Sequence, residues 1–272
     1  MTYQIETDRS PKRRGVVQSI WDVGVISALV ILAFSAQAGN NGQQNAYSPA
    51  RPVTAAQVVS SPRDFIGKTV TIRSKPTQRL EANSFKLKDG LFSQQEPLLV
   101  VNTSGTPLNL PADNVDIQVT GRVRDFVISD IERDYNLNLN DDLYGGYVRK
   151  PVLVADNIAL APQPNQVAQA PQQYYGKTVA VTGEVEKTNT PILITLHKDQ
   201  FIRGRSLPVL LTSSPKVAIN KGQQVAVVGE VRPFVANDIE REYNFAWDAN
   251  VKRQLEAEYQ NTPVLIAEAV YP

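Results

Sequence analysis

Apolar and polar residues alternate in short runs along most of the chain, and the whole series of runs occurs twice. Val70 and Ile72 alternate with polar neighbours after Gly67-Lys68-Thr69, and Val179 and Val181 do so after Gly176-Lys177-Thr178, as half-buried strands should. Further strands are predicted at Ser84 to Lys88 or Ile192 to His197, and at Pro97 to Val101 or Leu207 to Leu211. A fourth, Val115 to Val123 or Gln224 to Val231, carries a glycine where strands of small barrels bend. Pro151 or Pro263 then opens a last strand. The only strong helical signal lies just before it: Asp238 to Tyr243 continues into Trp247 to Tyr259, where Val251, Leu255 and Tyr259 line one face. A short preamble, Val53 to Pro62, has helical spacing at Ala56, Val59 and Ser60.

The two series match in sequence as well as in pattern. Phe65-Ile66-Gly67-Lys68-Thr69-Val70 returns as Tyr174-Tyr175-Gly176-Lys177-Thr178-Val179, and Val119-Thr120-Gly121-Arg122-Val123-Arg124-Asp125-Phe126 returns as Val227-Val228-Gly229-Glu230-Val231-Arg232-Pro233-Phe234. Asp130-Ile131-Glu132-Arg133-Asp134-Tyr135-Asn136 becomes Asp238-Ile239-Glu240-Arg241-Glu242-Tyr243-Asn244, and Pro151-Val152-Leu153-Val154-Ala155 becomes Pro263-Val264-Leu265-Ile266-Ala267. Four blocks in one order at nearly constant offset mean tandem duplication. The expected units are residues 53–161 and 173–272, joined by a Pro/Gln linker at 162–172.

Ahead of them, Lys12, Arg13 and Arg14 precede the apolar run Val23 to Phe34 and then Ala36-Gln37-Ala38. A basic flank, an apolar stretch and small residues before a cleavage point make a secretory signal. With Ile20 and Trp21 the same stretch nears the length of an uncleaved anchor, against which Asp22 counts. Residues 1–38 are thus expected to be a signal peptide or signal anchor making an N-terminal membrane contact, and 39–52 a flexible spacer. Either version puts the body outside the cytoplasm, in a periplasm or lumen, freed near Ala38 or held by a single membrane helix.

The fold class read from this pattern is mainly β with short helices: two tandem OB-fold-like small β-barrels, each with a helical excursion before the last strand. The run Gly176 to Val185, followed by the Val-x-Val-x-Gly-x-Val-Arg pattern of the fourth strand, resembles bacterial exported OB-fold proteins. The Phe-x-x-x-Asp-x-Glu-Arg segment after that strand is similar to tandem-repeat proteins of cyanobacterial type. The resemblance covers about residues 53 to 272 and implies an exported setting with no established activity. Copy one departs from it at Arg73-Ser74-Lys75, which lacks the glycine that Gly183 supplies in copy two.

Composition removes several kinds of chemistry. There is no cysteine, hence no disulfide, thiolate catalysis or Cys-x-x-Cys zinc site. Four of 28 basic and three of 27 acidic residues fall in the first 38, leaving 24 of each in the body. A balanced body gains little from counterion release along a phosphate backbone, and the sequence shows neither a phosphate-cradling glycine loop nor a basic stripe. Nucleic acid is therefore not the expected partner. Tyr135, Tyr144, Tyr147, Tyr174, Tyr175, Phe234, Tyr243 and Trp247 are expected to pack cores rather than to stack on bases.

His197 is the only histidine and is unduplicated, so a catalytic triad or multi-histidine metal site has little to stand on. Asn138, Asn140, Asp141 and Asp142 lack the spacing of a calcium loop. No cofactor, metal or catalytic residue is expected. The candidate contact residues for a ligand or partner are Asp130, Glu132, Arg133, Asp238, Glu240 and Arg241, a charged set kept in both copies that a core would not require. The competing structural reading makes each Asp a helix N-cap and uses the Glu, Arg and Tyr to pin the excursion to the barrel. The expected function is a non-catalytic extracytoplasmic binding or scaffolding module with a protein partner. The alternative is a small ligand, oligosaccharide or single-stranded nucleic acid in the barrel groove.

Overall fold

The computed structural model describes residues 53–89, 95–105, 115–190, 192–198, 205–212 and 218–271. The expected signal segment and spacer lie outside the described residues. Among the described residues no helix is long and apolar enough to cross a membrane.

The first copy runs α1 (Ala55–Ser60), β1 (Thr69–Glu81), β2 (Ser84–Lys88), β3 (Leu98–Asn102), β4 (Asp116–Asp125), α2 (Ile128–Tyr135), α3 (Asp141–Tyr144) and β5 (Pro151–Ala161). The second runs α4 (Pro164–Gln169), β6 (Thr178–Thr190), β7 (Leu193–His197), β8 (Leu207–Leu211), β9 (Gln224–Pro233), α5 (Ala236–Tyr243), α6 (Ala249–Tyr259) and β10 (Pro263–Tyr271). β1 pairs antiparallel with β2 and β4, β2 with β3, and β4 with β5, while β3 runs parallel to β5. That order returns to its starting strand, so the five strands close into an OB-fold-like barrel. β6 to β10 repeat every pairing.

Alternation along the strands divides the apolar residues between two layers. Ile72, Phe85, Leu87, Leu98, Val100, Val119 and Leu153 fill the first barrel, with Ala55 and Val58 of α1 packed against the same cluster. Leu99, Val101, Val152 and Val154 point outward and carry a second core made with Phe126, Ile131, Leu139 and Tyr144 of the excursion. Copy two has the same two layers. The excursion between the last two strands is thus a roof over the outer face of β3 and β5, or of β8 and β10. Val251, Leu255 and Tyr259 face this outer core, as their spacing predicts.

Closing so small a barrel brings β4 and β5 backbones together at one glycine. A Cβ on Gly121 would lie 2.0 Å from the carbonyl oxygen of Val154, and one on Gly229 2.0 Å from that of Ile266. Opposite each glycine the partner strand bulges by one residue, Asp156 or Glu268.

Residues 162–172 differ from the linker expected of their Pro/Gln composition. They contain α4, whose Pro164, Val167 and Ala168 are buried. Proline at the first turn of a helix forfeits no hydrogen bond. The Gln166 side chain accepts from the N–H of Gln163 at 2.8 Å, as Gln57 accepts from Thr54 at 2.9 Å ahead of α1. The segment is the second copy's counterpart of α1, and Val167 belongs to the core of the second barrel.

The barrels abut through β5, where Leu160 pairs with Val179 in parallel and packs against both barrel cores. Arg73 of β1 reaches across this junction. It donates to Thr182 Oγ1 and to the Ala161 carbonyl, each at 2.6 Å, and to the Pro162 carbonyl at 3.3 Å. Burial pulls its guanidinium below its ordinary value, opposed by Asp116 at 3.8 Å.

Candidate functional site

The duplicated charged segment forms the first helix of each roof. Phe126 donates to the Lys150 carbonyl and Arg149 to the Phe126 carbonyl, both at 2.9 Å, so the excursion leaves and rejoins the barrel at a single neck. Ile131 and Ile239 are buried beneath α2 and α5. Asn136 and Asn244 end those helices in the left-handed region, at φ 52° and 55°, which Asn tolerates better than most residues.

The expected N-cap role of Asp130 and Asp238 is corrected. Val127 and Val235 hold that position, with no side-chain cap, and each Asp falls in the first helical turn. The helix begins earlier because the extended backbone at each Val follows directly on a buried Phe126 or Phe234 that sets where the chain turns. From the first turn each Asp reaches Arg133 at 3.0 Å or Arg241 at 2.9 Å, with the guanidinium side chains 68% and 74% exposed.

Glu132 and Glu240 are turned to other work. Glu132 Oε1 accepts from the Leu139 N–H at 2.8 Å, and Glu240 accepts from Lys252 of α6, which also donates to Asn237 at 2.6 Å. Two residues outside the expected set join the roof to the barrel in both copies. Arg124 of β4 binds Asp134 at 2.9 Å beneath the Tyr135 ring, and Arg232 of β9 binds Glu242 beside Tyr243. Those hydrogen bonds hold both guanidinium groups above their usual value and Asp134 below the ordinary carboxylate range. Among the described residues no hydrogen bond or ion pair joins the charged set of one copy to that of the other. The repeat in the sequence was sufficient signal for the Arg124 and Arg232 pairs.

A second charged surface lies on the outer face of β1 and β2, beside the first roof. At one end the Tyr144 hydroxyl is buried between Ser84 Oγ at 2.6 Å and Glu81 Oε2 at 2.7 Å. Lys86 follows on the same face, its ammonium 5.3 Å from the centre of the Tyr147 ring. Lys88 comes next, directly opposite Lys75 in the register of β1 and β2. A basic stripe absent from the linear sequence is therefore assembled by strand pairing. The equivalent positions of the second barrel are Leu193, Thr195, His197 and Glu184, and there His197 Nε2 lies 3.8 Å from Glu184.

The remaining sequence candidates have structural places. Asn140 caps α3 by accepting from the Asp142 N–H at 3.0 Å. Tyr144, Tyr174 and Phe234 are buried, while Tyr135, Tyr147, Tyr175, Tyr243 and Trp247 pack partly buried against the cores. No group of three or more His, Asp or Glu among the described residues is arranged to hold a metal ion.

The chain matches no family model and no curated protein. Among solved structures it is similar to a multidomain protein with nucleic acid binding domains from Streptococcus pneumoniae, at 8% identity and a TM-score of 0.18. The match covers 65% of this chain and 48% of that one, so the chain spans about half the length of that protein.

Proposed function

We propose that the protein is a non-catalytic binding or scaffolding module that presents two equivalent charged helical surfaces to a protein partner outside the cytoplasm. The observation that carries this reading is the ion pair Asp130–Arg133, repeated as Asp238–Arg241 at the same place on each roof. Pairs this exposed stabilise a fold by only about 0–1 kcal/mol, so the fold has little use for them. Each stands beside an exposed valine, Val127 or Val235, at an N-cap where Ser, Asp or Asn would stabilise the helix by roughly 1 kcal/mol. Both copies keep the weak ion pair and the unfavourable cap together, which a contact surface accounts for and helix stability does not.

The roofs also count against the barrel groove. The face of β2 and β3 on which OB-folds commonly bind extended ligands carries Leu99 and Val101 here, and both are sealed beneath the excursion. The extracytoplasmic setting rests on Lys12 to Arg14, the Val23 to Phe34 run and the Ala36-Gln37-Ala38 box.

The test is crosslinking from a photoreactive residue placed at Ser129, performed in wild type and in Arg133→Asp/Arg241→Asp chains recovered from membrane and soluble extracytoplasmic fractions. A defined partner that is lost in the double variant while the melting temperature is unchanged is expected. An unchanged crosslinking pattern would overturn the proposal.

A further inference from the structure

The turn that closes the first roof differs in surface chemistry from its counterpart in the second. Each roof rejoins its barrel through the same backbone: the Lys150 N–H donates to the Tyr147 carbonyl and the Thr262 N–H to that of Tyr259, both at 2.9 Å. Counting back from these bonds, Gly145, Gly146 and Val148 correspond to Ala257, Glu258 and Gln260, and all six positions are exposed. The second copy therefore shows that ordinary helix-forming and polar residues suit this backbone.

Nothing in the fold requires the first copy's choices. Gly145 has helical angles, φ −52° and ψ −35°, and neither it nor Gly146 is left-handed. A Cβ on either glycine would meet nothing within 4 Å, so the pair forgoes helix stability for no gain in packing. Leu143 and Val148 are 44% and 47% exposed. Val127 is 38% exposed, and the bond from the Arg149 N–H to the Phe126 carbonyl holds it beside the turn. Arg149 takes the left-handed backbone at φ 62° where the second copy has Asn261. Among the described residues no carboxylate forms an ion pair with Arg149. Bare backbone, exposed apolar side chains and a strained arginine thus fall together in residues 143–149, and strain of this kind collects at functional sites.

We infer that Leu143 to Arg149 is a docking site for an apolar segment of a partner protein that carries a carboxylate at one end and a cation at the other. Gly145 and Gly146 let the partner's backbone approach closely, while its apolar side chains cover Leu143, Val148 and Val127. Arg149 presents a planar fork that takes a carboxylate through two parallel hydrogen bonds. Asp141 and Asp142, exposed at the start of α3, form no ion pair among the described residues and suit a lysine or arginine. Opposite charges at the two ends fix the direction in which the segment lies. They also count against an anionic membrane surface, which would attract Arg149 and repel the two carboxylates. Contact with such a partner accounts for two glycines and a left-handed arginine that the isolated fold leaves without a purpose.

This inference rests on the roofs being partner surfaces and names what the first of them takes. The probe is a phage-displayed library of random twelve-residue peptides panned on the full chain. Selected peptides are expected to share an apolar run with Asp or Glu on one side and Lys or Arg on the other. Gly145→Ala/Gly146→Glu/Val148→Gln installs the second copy's own residues, so it should melt at or above the wild-type temperature and bind the selected peptides about tenfold or more weaker. Arg149→Asn should also weaken them about tenfold, and reselection on it should lose the preference for an acidic residue. The inference is overturned if panning enriches no such peptide or if the triple variant binds the selected peptides as well as wild type does. Peptides lost only in Arg133→Asp/Arg241→Asp would overturn it and leave the ion pairs as the contact surface. Loss in the triple variant, with crosslinking from Ser129 unchanged by Arg133→Asp/Arg241→Asp, would keep this site and remove the role of the ion pairs. Binding to phosphatidylglycerol vesicles that the triple variant abolishes would overturn it in favour of a membrane contact.

Discussion

Arg73 Nη1 donates to Thr182 Oγ1 at 2.6 Å, and these two residues occupy the same position in the two copies of the repeat. One strand position has diverged into a donor on one barrel and its acceptor on the other. The consequence is a fixed junction, because the same guanidinium also holds the carbonyls of Ala161 and Pro162 where the chain passes between barrels.

Removing that guanidinium should therefore uncouple the barrels. Arg73→Met is expected to cost about 1–3 kcal/mol, the expense of leaving the part-buried Ala161 and Pro162 carbonyls without this donor. Lys cannot rescue it, since a single ammonium does not span three acceptors. Denaturant unfolding followed by Trp247 fluorescence reports the second copy, and far-UV circular dichroism reports both. The two curves should coincide in wild type and separate in the variant; coincident curves in both would show that the junction does not depend on Arg73.

A second divergence is compensated inside each barrel. Gly183 has no room for a side chain: a Cβ there would lie 2.8 Å from the His197 carbonyl and 2.9 Å from Pro164 Cγ. The first copy has Ser74 at this position, and its hydroxyl donates to the Lys88 carbonyl at 2.9 Å, with Ala55 standing where the second copy has Pro164. Gly183→Ser should cost about 1–3 kcal/mol through overpacking. Adding Pro164→Ala should recover part of that, giving a coupling of at least ~0.5 kcal/mol in a double-mutant cycle of denaturation midpoints. Strict additivity would refute the compensation.

These cases show what could be read from the sequence. Strand positions were legible because alternation and the repeated blocks agree, and Ser84 to Lys88 and Leu207 to Leu211 fall where predicted. The roof was legible as a helical excursion, while its division at Asn244 and the capping of α2 and α5 by valine were not, since local chemistry favours Asp at a cap. The helix at 164–169 was hidden by linker-like composition and becomes visible only as the counterpart of α1. Of the six candidate contact residues, Asp130 and Arg133, and Asp238 and Arg241, stand three apart, a spacing that brings them together on one helix face. The inward turn of Glu132 and Glu240 depends on partners beyond their own helix, the Leu139 N–H and Lys252 of α6. Arg73 and the lysine face depend on strand register, which alternation alone does not specify.

Backbone strain separates the copies at the neck of the roof. Arg149 sits at φ 62°, and its counterpart in the second copy is Asn261 at φ 60°. Asn visits the left-handed region readily and Arg does not, so Arg149→Asn should stabilise the chain by about 1 kcal/mol. The reverse change, Asn261→Arg, should destabilise it by a similar amount, and shifts of the denaturation midpoint at constant slope read both. A destabilised Arg149→Asn variant would mean that the Arg149 side chain contributes more than its backbone strain costs.

The bulge residues predict a pH dependence that differs between copies. Burial raises the carboxyl of Asp156, and nearby Arg122 partly offsets this; in the second copy Glu230 replaces Arg122, and burial together with Glu230 raises Glu268. A carboxyl held above its unfolded value keeps its proton longer in the folded state. Its contribution to stability is therefore fully present at acidic pH and is lost as pH rises through the raised folded value. Glu268→Gln removes the ionisation, so it should melt higher than wild type at neutral pH and match it at about pH 3, below the ordinary carboxyl value. Glu230→Arg restores the first copy's arrangement and should remove only part of the difference at neutral pH, because burial is the larger cause and Asp156 stays raised beside Arg122. If the gap between wild type and Glu268→Gln is the same at both pH values, ionisation of Glu268 does not act on folding.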